Sequence, residues 1–409
     1  MKITILSQWY PPETEIRIHI LAKYLASKGN SVVSITGFPN YPKGKIFSGY
    51  KIKLHMWEEM DKVKVLRLPL YPSHDNSAIK RIINYLSFAL SASVISPFFV
   101  PMADIMWVYH PPLTIGLPAL VLSRIKHMPF IYEIQDMWPE TLRATGMIKN
   151  NNLLNLIAFA AKHIYSKAAA IVVISDGFKQ NLIDKGVPED KIYVIPNWTD
   201  EKIYKKQLSN ENIILNENNE AYHKFILVYA GNIGKAQGLD NLIEAAKLIP
   251  SDEIIIYLIG EGLEKKQLVE KVKNENLQNI IFLDKMSPND ILKYYQIADA
   301  LLIHLQRDPL FSITIPGKTF SYMAYGKPII CVAEGEVTRI IDEASCGVVV
   351  RPSDPEDLAK AILRLSKMSI DERKSMGENG IRFYDQKYSQ QVLLDRYEML
   401  FNKVNSEFH

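Results

Sequence analysis

At 409 residues the chain is longer than one core ordinarily sustains, about 250 residues, which points to two domains. With 47% hydrophobic and 23% charged residues and no biased tract, it is a folded chain and not a disordered one. The net charge of +3 is split unevenly: residues 1–195 carry 22 Lys and Arg against 14 Asp and Glu, and the remainder carries 26 against 31.

The resulting surplus of +8 in the first part suits an anionic partner, a phospholipid surface or a phosphorylated lipid, although solvated surface lysines give the same count. No basic stripe interleaved with aromatics marks a nucleic-acid module. The two cysteines, Cys331 and Cys346, make neither a disulfide framework nor a Cys/His metal spacing and fit a reducing compartment.

Met1 to Ser7 reads as a first strand, because its apolar run is far shorter than a secretion-signal core, and a cytoplasmic protein is expected. From there, short β-branched runs alternate with helical patterns, the mark of parallel sheets covered by helices. Strands are predicted at 3–8, 31–37, 63–69, 105–109, 130–135, 170–175 and 192–195. In the second part they fall at 225–230, 254–259, 280–284, 300–305, 328–333 and 347–351. The fold class is α/β, with two doubly wound domains.

Between the first strands, Ile16, Ile20, Leu21, Tyr24 and Leu25 recur at helical spacing and Gly29 closes that helix. Ile82 to Ala103 holds no charged residue and follows Lys80 and Arg81. Its length permits a membrane span. Its serines and prolines, and its place between two strands of one sheet, favour instead a buried helix or a helix lying in the membrane interface. Asp200 to His223 is polar, rich in Asn and without period, as a linker would be. The expected division is therefore a first domain at 1–198, a linker at 199–222, a second domain at 223–385, and a last helix at 386–409 packing back toward the first domain.

The strongest local signal runs from Phe225 to Leu239, where a buried strand enters the loop Gly231-Asn232-Ile233-Gly234-Lys235-Ala236-Gln237-Gly238 and then a helix. Glycines let backbone N–H groups approach a diphosphate, and a helix N-terminus adds partial positive charge, although a simple tight turn fits too. The loop does not match G-x-G-x-x-G, so no nicotinamide fingerprint is present. Farther on, Pro316-Gly317-Lys318-Thr319 opens a helix that ends at Gly326-Lys327-Pro328. A cation at a helix start opposes the dipole, which makes sense when an anion binds there; otherwise Lys318 is a surface lysine. Gly260-Glu261-Gly262 adds a third turn, and all three loops should meet at the carboxyl edge of one open sheet.

These segments, with Ser7-Gln-Trp-Tyr-Pro-Pro12-Glu13, Arg17, Gly37-Phe-Pro-Asn-Tyr-Pro-Lys-Gly44, Tyr132-Glu-Ile-Gln-Asp136-Met-Trp-Pro-Glu140 and Ile195-Pro-Asn-Trp198, resemble glycosyltransferase family 4. Within it they are similar to the WbuB-like transferases of O-antigen and capsule assembly, and the resemblance covers the whole chain. It implies the GT-B fold, two Rossmann-like domains facing across a cleft, with no metal or other cofactor. It also implies retention of anomeric configuration, a nucleotide-sugar donor on the second domain and an acceptor on the first.

Carried over residue by residue, the resemblance gives donor contacts to Gly231, Asn232, Gly234, Gln237, Gly260, Gly262, Arg307, Thr319, Ser321 and Glu336. It gives acceptor contacts to Tyr10, Arg17, Tyr41, Trp138 and Glu140, and a catalytic group of Asp136, Lys318 and Glu13. Lys318 would neutralise the departing diphosphate. Asp136 would position the sugar or steady its cationic ring, with helix capping as the plainer role.

The sequence departs from the wider family where two glutamates eight positions apart would be expected: Ile313 and Ser321 stand there, and a hydroxyl is the weaker ribose partner. The donor implied is a UDP-sugar, an N-acetylated deoxyhexosamine such as N-acetyl-L-fucosamine. The acceptor implied is a polyprenyl-diphosphate-linked saccharide at the cytoplasmic face of the membrane. A UDP-sugar epimerase or hydrolase, or an inactive nucleotide-sugar-binding scaffold, are the alternatives on the same fold.

Overall fold

The computed structural model describes residues 1–14, 16–73, 78–201 and 224–408. The predicted linker lies outside the described residues beyond Glu201. The chain forms two compact units, Met1–Ile195 with Leu394–His409, and Pro196–Leu393.

The first unit runs β1 (Lys2–Leu6), α1 (Ile16–Ser27), β2 (Ser31–Gly37), β3 (Met56–Met60), β4 (Val63–Leu68), α2 (Ala78–Phe99), β5 (Ile105–His110), α3 (Gly116–Lys126) and β6 (Phe130–Ile134). It continues with α4 (Glu140–Ala144), α5 (Asn151–Lys167), β7 (Ala170–Val173), α6 (Asp176–Asp184) and β8 (Ile192–Val194). The sheet order is β3-β4-β2-β1-β5-β6-β7-β8. Every pairing is parallel except β3 with β4. Strands β5 and β6 are buried along their whole length, as the centre of a sheet covered on both faces requires.

Strand β3 is absent from the expected set. Its Met-Trp-Glu-Glu-Met sequence alternates half-buried with exposed residues, an edge pattern with few β-branched side chains. It joins β4 through the two-residue turn Asp61-Lys62, both at positive φ, a primed turn whose twist suits a hairpin.

Helix α2 packs on β2, β4 and α3. It is not the wholly buried helix that was one expectation, since only one side of it faces the core. Phe88, Ala89, Ala92 and Ser96 face the core, as does Asn84, whose amide donates to the Tyr71 carbonyl and whose oxygen accepts from Gln8. The opposite side is open.

The second unit runs β9 (Phe225–Ala230), α7 (Asp240–Ala246), β10 (Ile254–Ile259), α8 (Lys265–Asn274), β11 (Ile280–Leu283), α9 (Pro288–Ile297) and β12 (Ala300–His304). It continues with α10 (Pro309–Ser312), α11 (Gly317–Tyr325), β13 (Ile329–Val332), α12 (Glu336–Ala344), β14 (Gly347–Val350), α13 (Pro355–Lys367) and α14 (Ile370–Lys387). Its sheet is wholly parallel, in the order β11-β10-β9-β12-β13-β14. In each sheet the order reverses beside the first strand: β1 lies between β2 and β5, and β9 between β10 and β12. Those reversals leave a crevice at the carboxyl ends of β1 and β9, the place where doubly wound sheets take ligands.

The last helix, α15 (Gln390–Phe408), belongs to the first unit from Leu394 onward. Leu394, Tyr397, Leu400, Phe401 and Val404 form its buried stripe. Its deepest tie is polar: the Tyr397 hydroxyl donates to Glu133 of β6 at 2.5 Å, beside the Trp107 indole N–H at 3.0 Å and the Gln135 amide. Burial raises the Glu133 carboxyl above its usual range, against the pull of Arg17 and these donors. Removing a donor from a buried carboxylate costs its desolvation, about 1–3 kcal/mol. Tyr397→Phe is therefore expected to lower stability by about that much in urea denaturation followed by tryptophan fluorescence, whereas exposed Met399→Ala leaves it unchanged within about 0.5 kcal/mol.

Candidate functional site

In the second unit three loops meet, two of them by backbone contact. Gly231 leaves β9 at φ +152°, and Gly260 leaves β10 at the same φ. A Cβ on Gly260 would lie 1.8 Å from the Gly231 carbonyl oxygen, and one on Gly262 would lie 2.1 Å from that of Ile233. Ile233 N–H donates to the Glu261 carbonyl at 2.8 Å and locks the pair. Only glycine permits such closeness.

The third loop enters through Lys318, in the first turn of α11. Its Nζ lies 2.7 Å from where a Gly231 side chain would begin, and 3.7 Å from the centroid of the Tyr229 ring. The Tyr229 hydroxyl in turn donates to the Asn232 carbonyl at 2.5 Å, so the ring under the ammonium is fixed. That ammonium is buried and has no hydrogen-bond partner among the described residues. Burial pushes the amine down to about 7. Helix α11 carries no side-chain cap at Pro316, so its uncapped start adds partial positive charge to the turn that carries Lys318. A buried cation beside a ring, glycine backbone and an uncapped helix start is an arrangement suited to hold an anion.

Gln237 shapes the first loop, its Oε1 accepting from Asn232 Nδ2 at 3.1 Å and from Gly234 N–H at 3.2 Å. The loop is braced by a residue outside the sequence candidates. His304, buried at the end of β12, lies with Nδ1 2.5 Å from the Gln237 carbonyl, and Nε2 faces the Asn241 amide at 3.4 Å. Burial pushes this imidazole down to about 4, which keeps it neutral with Nδ1–H as the donor. Its sequence signal is only a polar residue closing a run of four apolar ones.

The remaining predicted donor residues sit around this edge in different ways. Arg307 follows β12, exposed and 3.5 Å from Glu334. Glu336 opens α12 and is held by Arg339 at 2.8 Å. Thr319 is wholly buried in the first turn of α11, a core position.

In the first unit, the carboxyl ends of β1, β2 and β6 carry the other predicted residues. Glu13 is buried and accepts from Tyr10 N–H at 3.1 Å and from Asn40 and Tyr41 N–H at 2.8 Å each. Burial lifts its carboxyl to about 7 despite those donors. In this arrangement Glu13, expected in the catalytic group, ties two loops together. Tyr10 is also inward, its hydroxyl 2.8 Å from His19 Nδ1. Arg17 donates to the Tyr109 hydroxyl at 2.8 Å, and Glu140 is held by Lys185 at 2.7 Å.

Asp136 follows β6, half-buried; burial raises the Tyr85 phenol, and the Asp136 charge adds to that rise against the pull of Arg81. Tyr85 belongs to α2 and meets Trp9 edge-on at 6.4 Å; Trp9 also faces Tyr41 at 5.2 Å. Sequence reading named Tyr41 but missed Trp9 and Tyr85, which complete an aromatic group beside Asp136. It also missed His110, wholly buried at the end of β5 and 5.6 Å from the Trp138 ring.

The comparisons with known proteins agree with these two units. Residues 14–198 match the Glycosyl transferase 4-like domain, and residues 210–383 match Glycosyl transferases group 1. WcaI of Escherichia coli (strain K12), a glycosyl transferase provisionally assigned to colanic acid biosynthesis, is 26% identical over 88% of this chain and 91% of its own. The chain belongs to glycosyltransferase family 4. A Staphylococcus aureus capsular polysaccharide biosynthesis glycosyltransferase, CapM, is 23% identical over 71% of this chain and 75% of its own. Anabaena HepE, crystallised with UDP-glucose, superposes with a TM-score of 0.69 over 98% of this chain and 100% of its own, at 15% identity. The fold is GT-B.

Against the family's usual glutamate, the Ser321 hydroxyl of this transferase lies 3.0 Å from the Thr199 hydroxyl. The substitution thus leaves a neutral pair on α11 one turn from the buried ammonium. The backbone contacts of the loops set a direct test. Gly260→Ala must part β9 from β10 at their ends and should cost more than about 2 kcal/mol in denaturant unfolding. Gly317→Ala, whose Cβ meets nothing within 4 Å, should be neutral or stabilising by about 0.4–1 kcal/mol.

Proposed function

We propose that this chain transfers a sugar from a UDP donor to a polyprenyl-diphosphate-linked saccharide in the assembly of a bacterial surface polysaccharide, with retention of anomeric configuration. The observation that carries the donor half is the buried, unpartnered ammonium of Lys318 beside the Gly231 loop and the start of α11. WcaI and CapM, both assigned to polysaccharide synthesis, and HepE, bound to UDP-glucose, support the reading. The positive balance of residues 1–195 supports a phosphorylated lipid acceptor and a position at the cytoplasmic membrane face.

In the reaction the bond between the anomeric carbon and the β-phosphate oxygen breaks and its electron pair stays on that oxygen. The acceptor hydroxyl oxygen bonds to the same carbon and gives its proton to the departing diphosphate. Charge builds on the diphosphate as the sugar ring becomes cationic, so a preorganised cation at the phosphate acts most strongly in the transition state. Lys318 fills that role, with Asn232 and the first N–H groups of α11 as further donors. Asp136 contributes a carboxylate toward the cationic ring or the acceptor.

Lys318→Ala should lower kcat by roughly 100-fold or more with the thermal unfolding curve retained, and Asp136→Asn should lower it by roughly 10-fold or more. A panel of UDP-sugars headed by N-acetyl-L-fucosamine, with a lipid-linked acceptor, supplies the assay. Turnover of no donor, or an undiminished Lys318→Ala rate, overturns the assignment. A bound diphosphate also favours charged Lys318, so binding above pH 7 takes up a proton. UDP affinity should fall as pH rises from 7 toward 9, and Lys318→Met should flatten that slope in calorimetry.

A further inference from the structure

We propose that helices α2, α3 and α5 of the first unit form one face that lies in the interface of an anionic lipid bilayer. It gives the membrane position in the preceding reading a defined surface. Lipid binding is measured without sugar transfer, so either proposal can fail alone.

Along α2, Ile79, Ile82, Ile83, Leu86, Leu90, Val94 and Phe98 recur every three to four residues and are all exposed, Leu90 by 57%, Val94 by 65% and Phe98 by 83%. The row covers about 28 Å at the helical rise of 1.5 Å per residue. Among the described residues α2 is the one helix long and apolar enough to cross a membrane by length and composition. Its other side is committed to the core, with Asn84, Phe88, Ala92 and Ser96 buried, which limits entry to the depth of the interface.

The face continues onto the neighbouring helices. α3 packs against both α2 and α5, and Gly116 sits so close to Ile164 that a Cβ there would lie 2.2 Å from its δ1 carbon. Leu117 and Ile125 on α3, with Leu156 and Phe159 on α5, add exposed apolar side chains, Phe159 by 73%. No such array is needed for a water-facing helix layer.

Charge selects the occupant. The three helices contain six basic residues, Lys80, Arg81, Arg124, Lys126, Lys162 and Lys167, and no Asp or Glu. Apolar side chains among cations, with no acid on the three helices themselves, suit phospholipid headgroups above acyl chains. A second copy of the chain fits worse, because a two-fold interface would set these cations against themselves.

Cosedimentation of the full chain with vesicles of phosphatidylglycerol and phosphatidylcholine tests the proposal. The wild type should bind these and lose most of the bound fraction on pure phosphatidylcholine or at high salt. Leu90→Glu with Val94→Glu should weaken binding roughly tenfold or more, and Lys80→Glu with Arg81→Glu should remove the preference for anionic lipid. Both variants should keep the wild-type thermal unfolding curve and UDP affinity. Should the first fail to fold, Phe98→Trp gives an independent reading, a blue shift of its fluorescence when vesicles are added. Wild-type protein left in the supernatant with anionic vesicles, undiminished binding by the folded variants, or no blue shift overturns the proposal. So does a wild-type dimer that the Leu90→Glu, Val94→Glu variant dissociates, which would make this face an interface between copies.

Discussion

The second unit is organised around one unfavourable placement, an ammonium taken out of water with no hydrogen-bond partner among the described residues. Lys318 has the face of Tyr229 on one side and glycine backbone on the other, and burial depresses its amine. A buried cation of this kind destabilises the free protein, and an arriving anion relieves it. Tyr229 is held by its own hydroxyl and by the strand beneath, so little rearrangement is needed when charge arrives. Preorganisation of this sort is what makes an electrostatic contact effective in a transition state.

The topology explains why these groups can meet. With β9 between β10 and β12, the loops that follow all three strands emerge at one edge. Glycines at 231, 260 and 262 allow two of the loops to touch through their backbones. His304 at the end of the third strand reaches back to the Gln237 carbonyl and holds the first loop in place. A neutral imidazole suits that duty, since a second buried cation near Lys318 would compete for the same anion.

The first unit uses buried charge differently, as mortar between loops. Arg67 is wholly buried and donates to Glu58 and to the carbonyls of Gly37 and Pro11, while Glu13 gathers the N–H groups of Tyr10, Asn40 and Tyr41. Together they fix the loops after β1 and β2 against each other. Trp9, Tyr41 and Tyr85 are thereby presented as a group near Asp136, flat apolar surfaces beside a carboxylate, a chemistry that suits a saccharide. The same helix that brings Tyr85 to this edge turns its apolar side outward.

By itself the sequence determined the parts written in short-range pattern. All thirteen predicted strands are present with ends shifted by at most two residues, because a buried parallel strand must be an unbroken apolar run whatever surrounds it. The glycine loop and Lys318 were legible because each breaks a local rule, close backbone approach in one case and a cation at a helix start in the other. What only the tertiary structure decided were pairings between distant segments. Lys318 reaches Tyr229 across 89 positions, Glu133 meets Tyr397 across 264, and Glu13 spends its oxygens on a loop 27 residues away. Strand β3 escaped notice since an edge strand keeps one ladder side and one face in water and so carries little apolar period. Periodicity records which side of an element is dry; which partner waits there depends on how the strands are ordered, and that order is set only when the sheet closes on its whole core.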